Sequence, residues 1–449
     1  MKKLFYLLFF AAIVFVGCKK SSFESVFDKN PEERMADAIS LVNTSLTSSP
    51  NGWIATLPTS AGGGYGFYMS FDANQNVIMY SDISDAASTT PATSTYRVTT
   101  GLGAMLAFDT YNYISVLQDP KASVYGGTQG SGFSSDVEFT YVRQNADSLF
   151  FVGRQYRQPL VMVKATAAQK ASYVASAYKT TIDKLKSFFT TNKNPFIEIV
   201  SGTNTLKVGV TPNLTNTLSA GKRLDLTGVL ADGNTVVSSG QKIASNIDGI
   251  DILGTGLIWQ GIKFVRLRWK DATTLVLIDG SGKEYIIKNS ATPLVPLYQL
   301  WGTKYTGMLS EYKTIYPGTS ANGAVILNYY HNGLVPPTQP YTFNYGRINF
   351  VWNTVNKRLT VNGFSSQNGG TSGWVTATVY SYTVDGAGVY KFTSNAIASG
   401  GYVAIPLSKL DTFLLQNRVT FDYHVDGANV YAKVTSVEDP STVMTFVLQ

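Results

Sequence analysis

The chain has 449 residues, which is enough for roughly two to four domains of ordinary size. Charged residues make up 14% of the sequence and aromatic residues 13%, a composition that excludes disordered, collagen-like and coiled-coil proteins. The formal net charge is +7, but Lys and Arg are scattered along the chain. Nucleic-acid binding usually needs them clustered on one face, so the sequence argues against a nucleic-acid partner.

The N-terminus has the pattern of an export signal. Lys2 and Lys3 precede an unbroken apolar run from Leu4 to Val16, which suits a signal peptide and is too short to span a membrane. The end of this run, Phe15-Val16-Gly17-Cys18, resembles the lipobox of bacterial lipoproteins. The resemblance implies cleavage before Cys18, acylation of Cys18 and a membrane anchor of several acyl chains.

Cys18 is the only cysteine of the sequence, so no disulfide can form within the chain. The alternative is an ordinary secretory signal in which this cysteine is incidental. In the usual sorting scheme of bacterial lipoproteins, Lys19 rather than Asp after the cysteine favours the outer membrane. We expect exposure at the cell surface, with the periplasmic face as the alternative.

Two substantial helices are predicted. Asn30 is a suitable N-cap, Pro31 fits the first helical position and Glu33 completes a capping box, and Met35, Ile39, Val42 and Leu46 follow at helical spacing. The second helix, at 167–190, begins after Thr166 in the same way. A short third helix is predicted at 407–416.

The remaining segments predict antiparallel strands. Tyr65–Phe71 alternates in polarity, Asp72–Asn76 forms a turn, and Val77–Tyr80 returns as the second strand of a hairpin. The fold prediction is therefore mainly β, with antiparallel β-sandwich or lipocalin-like barrel domains and two substantial helices. The predicted division is a signal peptide at 1–17, a tether at 18–29, an N-terminal domain at 30–292 and a C-terminal all-β domain at 293–449.

A strand pattern occurs three times. Val137-x-Phe139-x-Tyr141 is repeated as Val419-x-Phe421-x-Tyr423 and, more loosely, as Val265-x-Leu267-x-Trp269. Each copy leads through a turn into a further strand. Either the chain contains an internal duplication, or these are ordinary half-buried hairpins that look alike.

Several short motifs between residues 18 and 290 together resemble one protein family. They are Phe27-Asp28, Pro31–Arg34, Asn51-Gly52-Trp53, Gly63-Gly64-Tyr65, Leu106-Ala107-Phe108-Asp109-Thr110-Tyr111-Asn112, Asp119-Pro120 and Ser135–Phe139. This is a family of Bacteroidota lipoproteins described only as a domain of unknown function, with members often found beside SusC/SusD-type nutrient importers. The resemblance supplies no catalytic residues.

Motifs for catalysis or metal binding are missing from the sequence. His331 and His424 are far apart and lie in no zinc-binding pattern; His331 is predicted in a turn and His424 in a strand. The glycine-rich stretch at 62–66 precedes a strand rather than a helix, so it does not predict a phosphate loop. We therefore predict no catalytic residues, no metal and no cofactor.

Aromatic residues are the remaining candidates for a ligand site. In the strand 374–382, Val375, Ala377 and Val379 share one face, which we assign to the core. The other face carries Trp374, Tyr380 and Tyr382 between threonines, which suits stacking on a sugar or a peptide side chain. Tyr329, Tyr330 and Trp352 could extend this platform. The alternative is that the same rings are packed inside the protein.

Together these observations predict a lipid-anchored, non-catalytic protein that binds a glycan or peptide nutrient as an accessory of a TonB-dependent importer. The lipid would hold the protein at the membrane, and its ligand site would raise the nutrient concentration near the importer. Two alternatives remain: a hydrolase acting on the same nutrient through distant carboxylates, and a structural partner without a small ligand.

Overall fold

A computed structural model of the chain describes residues 29–215, 221–399 and 403–449. They form three antiparallel sheets that follow one another along the sequence. The first and third sheets are closed barrels of eight strands, and the second is a ten-stranded sheet. The prediction of a mainly β protein with antiparallel barrel-like sheets is confirmed, whereas Cys18 and the export signal lie outside the described residues.

The first barrel closes by pairing β1 with β8, where Ile54 lies opposite Val163. Its strands are β1 (Trp53–Pro58), β2 (Gly64–Phe71), β3 (Asn76–Ser81), β4 (Ala92–Thr100), β5 (Ala104–Phe108), β6 (Glu138–Gln144), β7 (Ser148–Gly153) and β8 (Pro159–Lys164). Its helices are α1 (Pro31–Thr47), α2 (Asp85–Thr89), α3 (Tyr113–Gln118) and α4 (Ala122–Tyr125). The predicted hairpin is confirmed as β2 and β3, with Met69 opposite Met79.

The second sheet follows the helices α5 (Ala167–Val174) and α6 (Ala177–Thr191). Its strands are β9 (Pro195–Ser201), β10 (Asn204–Asn213), β11 (Arg223–Val229), β12 (Val236–Asn246), β13 (Gly249–Ile252), β14 (Leu257–Trp259), β15 (Ile262–Trp269), β16 (Leu275–Asp279), β17 (Glu284–Ile286) and β18 (Lys288–Asn289). The order across the sheet is β17-β16-β15-β13-β12-β11-β10-β9-β18, and β14 pairs with β15 outside this path.

The third sheet begins after the 3₁₀ turn Leu297–Gln299 and closes by pairing β19 with β26. Its strands are β19 (Gly307–Ser310), β20 (Tyr345–Asn353), β21 (Arg358–Ser366), β22 (Trp374–Val384), β23 (Val389–Ser399), β24 (Val419–Asp426), β25 (Asn429–Ser436) and β26 (Val443–Leu448). Two helices are inserted between its strands, α7 (Ala321–Asn332) and α8 (Ala404–Gln416).

The helix α1 packs onto the first barrel. Its predicted capping box is confirmed: the Asn30 side chain accepts from the Glu33 N–H, and the Glu33 carboxylate accepts from the Asn30 N–H. Val42 and Leu46 are fully buried in the barrel core, and the indole of Trp53 donates to the Leu46 carbonyl at 2.9 Å. The amphipathic face read from the sequence is therefore the face that packs on the sheet.

Buried polar contacts join the first barrel to the second sheet. The Lys222 ammonium lies 2.7 Å from a carboxylate oxygen of Asp82, and both side chains are almost completely buried. The Asp82 carboxylate also accepts from the backbone N–H groups of Gly66 (2.9 Å) and Ser245 (2.8 Å). Because all these donors converge on one buried charge, the two sheets are held in a fixed arrangement.

Two of the three copies of the repeated strand pattern occupy matching positions. Phe139 lies in β6 and Phe421 in β24, the sixth strand of each barrel, whereas Leu267 lies in β15, the seventh strand of the second sheet in chain order. All three side chains are buried. The common position in the two barrels is what a duplication would produce; the duplication itself stays a prediction.

Three helix predictions need correction. The single helix predicted at 167–190 is two helices, because Ser176 adopts a left-handed conformation (φ 60°) between α5 and α6. The prediction of two substantial helices was too low, since α7 has 12 residues and α8 has 13. The helix predicted at 407–416 begins earlier, at Ala404.

Candidate functional site

One end of the first barrel is covered by residues 109–137, which we call the capping segment. It contains α3 and α4 and buries Ile114, Leu117 and Phe133 in the barrel core. Asn112 starts α3 by accepting from the N–H groups of Ile114 and Ser115, while its amide donates to Ser94 at 3.0 Å. The side-chain cap and these apolar contacts fix the segment on the barrel.

The motif Phe108-Asp109-Thr110-Tyr111-Asn112 spans the point where β5 passes into the capping segment. Phe108 and Asn112 are buried at its two ends, whereas Asp109, Thr110 and Tyr111 are exposed. The buried ends anchor the backbone on the barrel and in the cap of α3. The three central side chains are thereby presented at the surface.

These side chains line a cavity of about 530 Å³, which we call the motif pocket. Its walls combine carboxylates, amides and tyrosine rings: Phe108, Asp109, Thr110, Tyr111, Gln118, Asp119, Pro120, Gln155 and Tyr156. Two of the motifs of the family resemblance, at 108–112 and 119–120, therefore line one cavity.

Asp119 is held as an anion in this pocket. The Tyr111 hydroxyl donates to one of its carboxylate oxygens at 2.7 Å, and the Lys121 N–H donates to the other at 2.9 Å. These bonds lower the pKa of Asp119 from its usual range. Partial burial and the neighbouring carboxylate raise the pKa of Tyr111 to about 12, so its hydroxyl stays a donor.

The opposite wall is positioned by a buried carboxylate. Asp136 accepts from the backbone N–H of Gln155 at 2.7 Å and of Tyr156 at 3.0 Å, and so fixes the turn between β7 and β8. Asp136 belongs to the motif 135–139, while Gln155 and Tyr156 carry no motif. Sequence reasoning missed both residues because a distant side chain brings them to the pocket.

The motif pocket contains two carboxylates. Asp109 and Asp119 both line it, as a glycosidase would require of two carboxylates. A glycosidase keeps one carboxyl group protonated by raising its pKa, and because the pKa of Asp119 is lowered, Asp119 does not have the property of that acid. Asp109 lies 3.2 Å from the Arg97 guanidinium. The pocket thus offers hydrogen-bond acceptors beside aromatic rings.

The predicted aromatic platform is not formed, because the third barrel encloses most of its rings. Tyr330, Trp352, Tyr380 and Tyr382 are at most 6% exposed and belong to the barrel core. Trp352 stacks on Trp301 with a ring-centroid distance of 4.0 Å. These four residues are therefore not available as a surface for a ligand.

The two remaining platform residues lie apart from this interior. Trp374 is 50% exposed and packs against Phe343, whereas Tyr329 is half-buried on α7 with the Lys409 ammonium 4.7 Å from its ring. In β22 the face that carries Tyr380 and Tyr382 points inward. The assignment of the small-residue face to the core was wrong, since the barrel interior is filled by the large rings.

The two histidines lie in different environments. His424 is in β24, as predicted, whereas His331 is in α7 and not in a turn. His331 is buried, and its Nε2 lies 3.5 Å from the Ser310 hydroxyl. Among the described residues, no group of His, Cys, Asp and Glu has the arrangement of a metal site.

Within the described part of the chain, every helix is too short or too polar to cross a membrane.

The geometry defines an antiparallel β protein in which two eight-stranded barrels flank a third sheet and the motif pocket lies at one end of the first barrel. The chain belongs to the family described as a domain of unknown function, DUF4302, whose model matches residues 23–270, more than half of the sequence. The match includes every residue named in the motif pocket.

No curated protein matches the sequence. Among solved structures, the chain is similar to a variant of the vaccine antigen Transferrin Binding Protein B from Haemophilus parasuis Hp5, at 10% identity and a TM-score of 0.12. The similarity covers 89% of this chain. The chain spans 66% of that protein's length.

Proposed function

We propose that the protein is a lipid-anchored, non-catalytic binding protein that captures a nutrient in the motif pocket. The observation that carries the proposal is that two family motifs, on either side of α3, line one cavity together with Gln155 and Tyr156 from the turn between β7 and β8. The anionic Asp119 and the amides of Gln118 and Gln155 supply hydrogen-bonding groups beside the Tyr111 and Tyr156 rings. Such a combination favours a hydroxyl-rich ligand, a glycan in preference to a peptide.

The proposed location is the outer membrane, with the lipid on Cys18 as the tether and the cell surface as the side faced. The proposed partner is a SusC/SusD-type importer. A tethered binding site close to an importer raises the local ligand concentration without any catalytic step. Copurification of the native protein from outer membranes tests this part, and recovery without any importer subunit would contradict it.

Binding in the motif pocket is tested by replacing the exposed ring at its edge. Oligosaccharides from xylan, mannan and dextran are titrated calorimetrically into the wild type and into Tyr111→Ala. Loss of the ring face and of a hydroxyl donor should weaken binding of the recognised glycan about five- to thirtyfold, given roughly 1–2 kcal/mol for these contacts.

Tyr341→Ala is the matched control, because Tyr341 is a comparably exposed tyrosine (44%, against 59% for Tyr111) on the third barrel. It should bind as the wild type does. Equal affinities of the two variants would contradict the assignment of the ligand to the motif pocket.

A further inference from the structure

A second large cavity lies between the first barrel and the second sheet. Its volume is about 490 Å³, and we call it the inter-sheet cleft. One wall is the outer face of β1, β7 and β8, and the other wall is formed by residues from β12 to β15. The cleft shares no lining residue with the motif pocket.

The barrel wall of the cleft is apolar where a solvated barrel surface is usually polar. In β8, Leu160 and Met162 point into the barrel, yet the outward positions are also apolar: Pro159, Val161 and Val163. Strands that face water on one side normally alternate apolar and polar residues. Val163 is 44% exposed, and Phe150 of β7 lines the same wall.

The opposite wall is charged, and its carboxylates already have partners. Asp251 accepts from the Arg268 guanidinium at 2.5 Å and from the Asn246 amide at 2.5 Å. Asp248 accepts from the Gln169 amide at 2.6 Å. The charge of Asp251 is therefore paired with Arg268, whereas Asp248 is hydrogen-bonded to a neutral amide and keeps its negative charge. The lining still carries three cations, Lys164, Arg266 and Arg268, against these two carboxylates.

Two cations that line the cleft have no carboxylate partner among the described residues. Arg266 is exposed on β15 and forms no ion pair there. Lys164, at the end of β8, donates only to the backbone carbonyl of Ala146, at 2.7 Å. An anion in the cleft would meet one guanidinium and one ammonium whose charges are not yet compensated.

The two walls of the cleft are held at a fixed distance by contacts between the barrel and the second sheet. Besides the buried pair of Lys222 and Asp82, the backbone N–H of Ser245 donates to Asp82 at 2.8 Å. The Lys242 ammonium on the second sheet donates to the Thr59 carbonyl of the barrel at 2.6 Å. A ligand would therefore enter a preformed space, with little ordering cost for the protein.

We propose that the inter-sheet cleft binds an organic anion with an apolar body. The anionic group contacts Arg266 and Lys164, and the apolar body lies on Phe150, Val161 and Val163. Two sources share this chemistry: an acyl chain with a terminal carboxylate, and the free carboxyl end of an apolar peptide. The site is independent of the glycan proposed for the motif pocket.

The test is calorimetric titration of the purified protein with octanoate, and with octylammonium and octan-1-ol as probes of the same chain length. Octanoate should bind at least tenfold more tightly than the other two. Acetyl-leucyl-leucine and its C-terminal amide are titrated in the same way, as peptide ligands with and without a free carboxylate. Tighter binding of the free peptide acid than of octanoate identifies a peptide end as the source, and the reverse identifies an acyl chain.

Arg266→Gln should weaken octanoate binding at least tenfold, whereas Arg358→Gln, which removes an exposed arginine from the third barrel, should leave it unchanged. Val161→Thr, which keeps the side-chain shape and replaces one methyl group by a hydroxyl group, should also weaken it. Equal effects of Arg266→Gln and Arg358→Gln would overturn the proposal, as would equal binding of octanoate and octan-1-ol. A loss of octanoate binding in Tyr111→Ala would place the anion in the motif pocket and overturn it too.

Discussion

The buried imidazole of His331 makes the third barrel sensitive to acid. Burial, reinforced by the nearby Lys313 ammonium, lowers the pKa of His331 from 6.5 to about 4. The unfolded chain therefore takes up this proton as the pH falls through 6.5, while the folded chain resists until about pH 4. The stability from the neutral imidazole is fully present above pH 6.5 and is lost as the pH falls towards 4.

We expect the free energy of unfolding of the wild type to fall by about 2 kcal/mol more than that of His331→Gln between pH 7 and pH 4.5. Urea unfolding followed by tryptophan fluorescence at the two pH values measures the difference. The comparison uses the pH dependence of each protein, so a general loss of stability in the variant does not affect it. Parallel behaviour of the two proteins would show that His331 is not the titrating group.

Single residues of the candidate site were only partly predictable. The motifs that contain Phe108, Tyr111 and Asp119 were recognisable in the sequence, but their meeting in one cavity depends on the path of the capping segment. In β22 the alternation was read correctly and its direction was not. The large rings of β22 point into the barrel, and its valine and alanine residues point outward. The alternation within one strand does not show which of its two faces is the inner one.

At the scale of elements, α1 offers a matched pair of leucines. Leu46 is fully buried in the first barrel, whereas Leu41 of the same helix is 45% exposed. Leu46→Ala should lower the free energy of unfolding by about 2–5 kcal/mol, because it leaves a cavity in the core. Leu41→Ala should change it by about 0.5 kcal/mol or less. Hydrogen exchange of first-barrel peptides reports both values, and similar effects of the two substitutions would contradict the packing of α1 on the core.

Sequence patterns predict the helix α1 but not the helix α7. The start of α1 was predictable because Asn30, Pro31 and Glu33 satisfy local rules of helix capping. Helix α7, with the sequence ANGAVILNYYHN, lacks a continuous polar face and contains β-branched and aromatic residues that favour strands. The helix is stabilised because Leu327 and Tyr330 are buried in the core of the third barrel. These tertiary contacts cannot be read from the local sequence pattern.

At the scale of the whole molecule, the contacts between the sheets differ in kind. The first barrel and second sheet meet through the buried pair of Lys222 and Asp82. The second sheet and third barrel meet through exposed contacts, such as the Tyr298 hydroxyl donating to the Asn234 side chain at 3.0 Å. We therefore expect the first two sheets to unfold together and the third barrel to unfold independently. A domain boundary near residue 293, as predicted from the sequence, remains a proposal.

Lys222→Met tests this cooperativity. The substitution leaves the Asp82 carboxylate buried without its cation, which should cost about 3–5 kcal/mol of unfolding free energy. Hydrogen exchange should become faster in peptides of both the first barrel and the second sheet, and by the same factor, because one opening event exposes both. Peptides from 307–448 should keep their wild-type rates.

Lys288→Met is the matched control, since it removes a lysine of the second sheet whose pair with Glu198 is exposed. An exposed pair of this kind contributes about 1 kcal/mol at most, so its loss should leave the exchange rates close to those of the wild type. Faster exchange confined to the second sheet in Lys222→Met would mean that the two sheets unfold separately. In that case the inter-sheet cleft would open without unfolding of the barrel, and its walls would no longer be a rigid site.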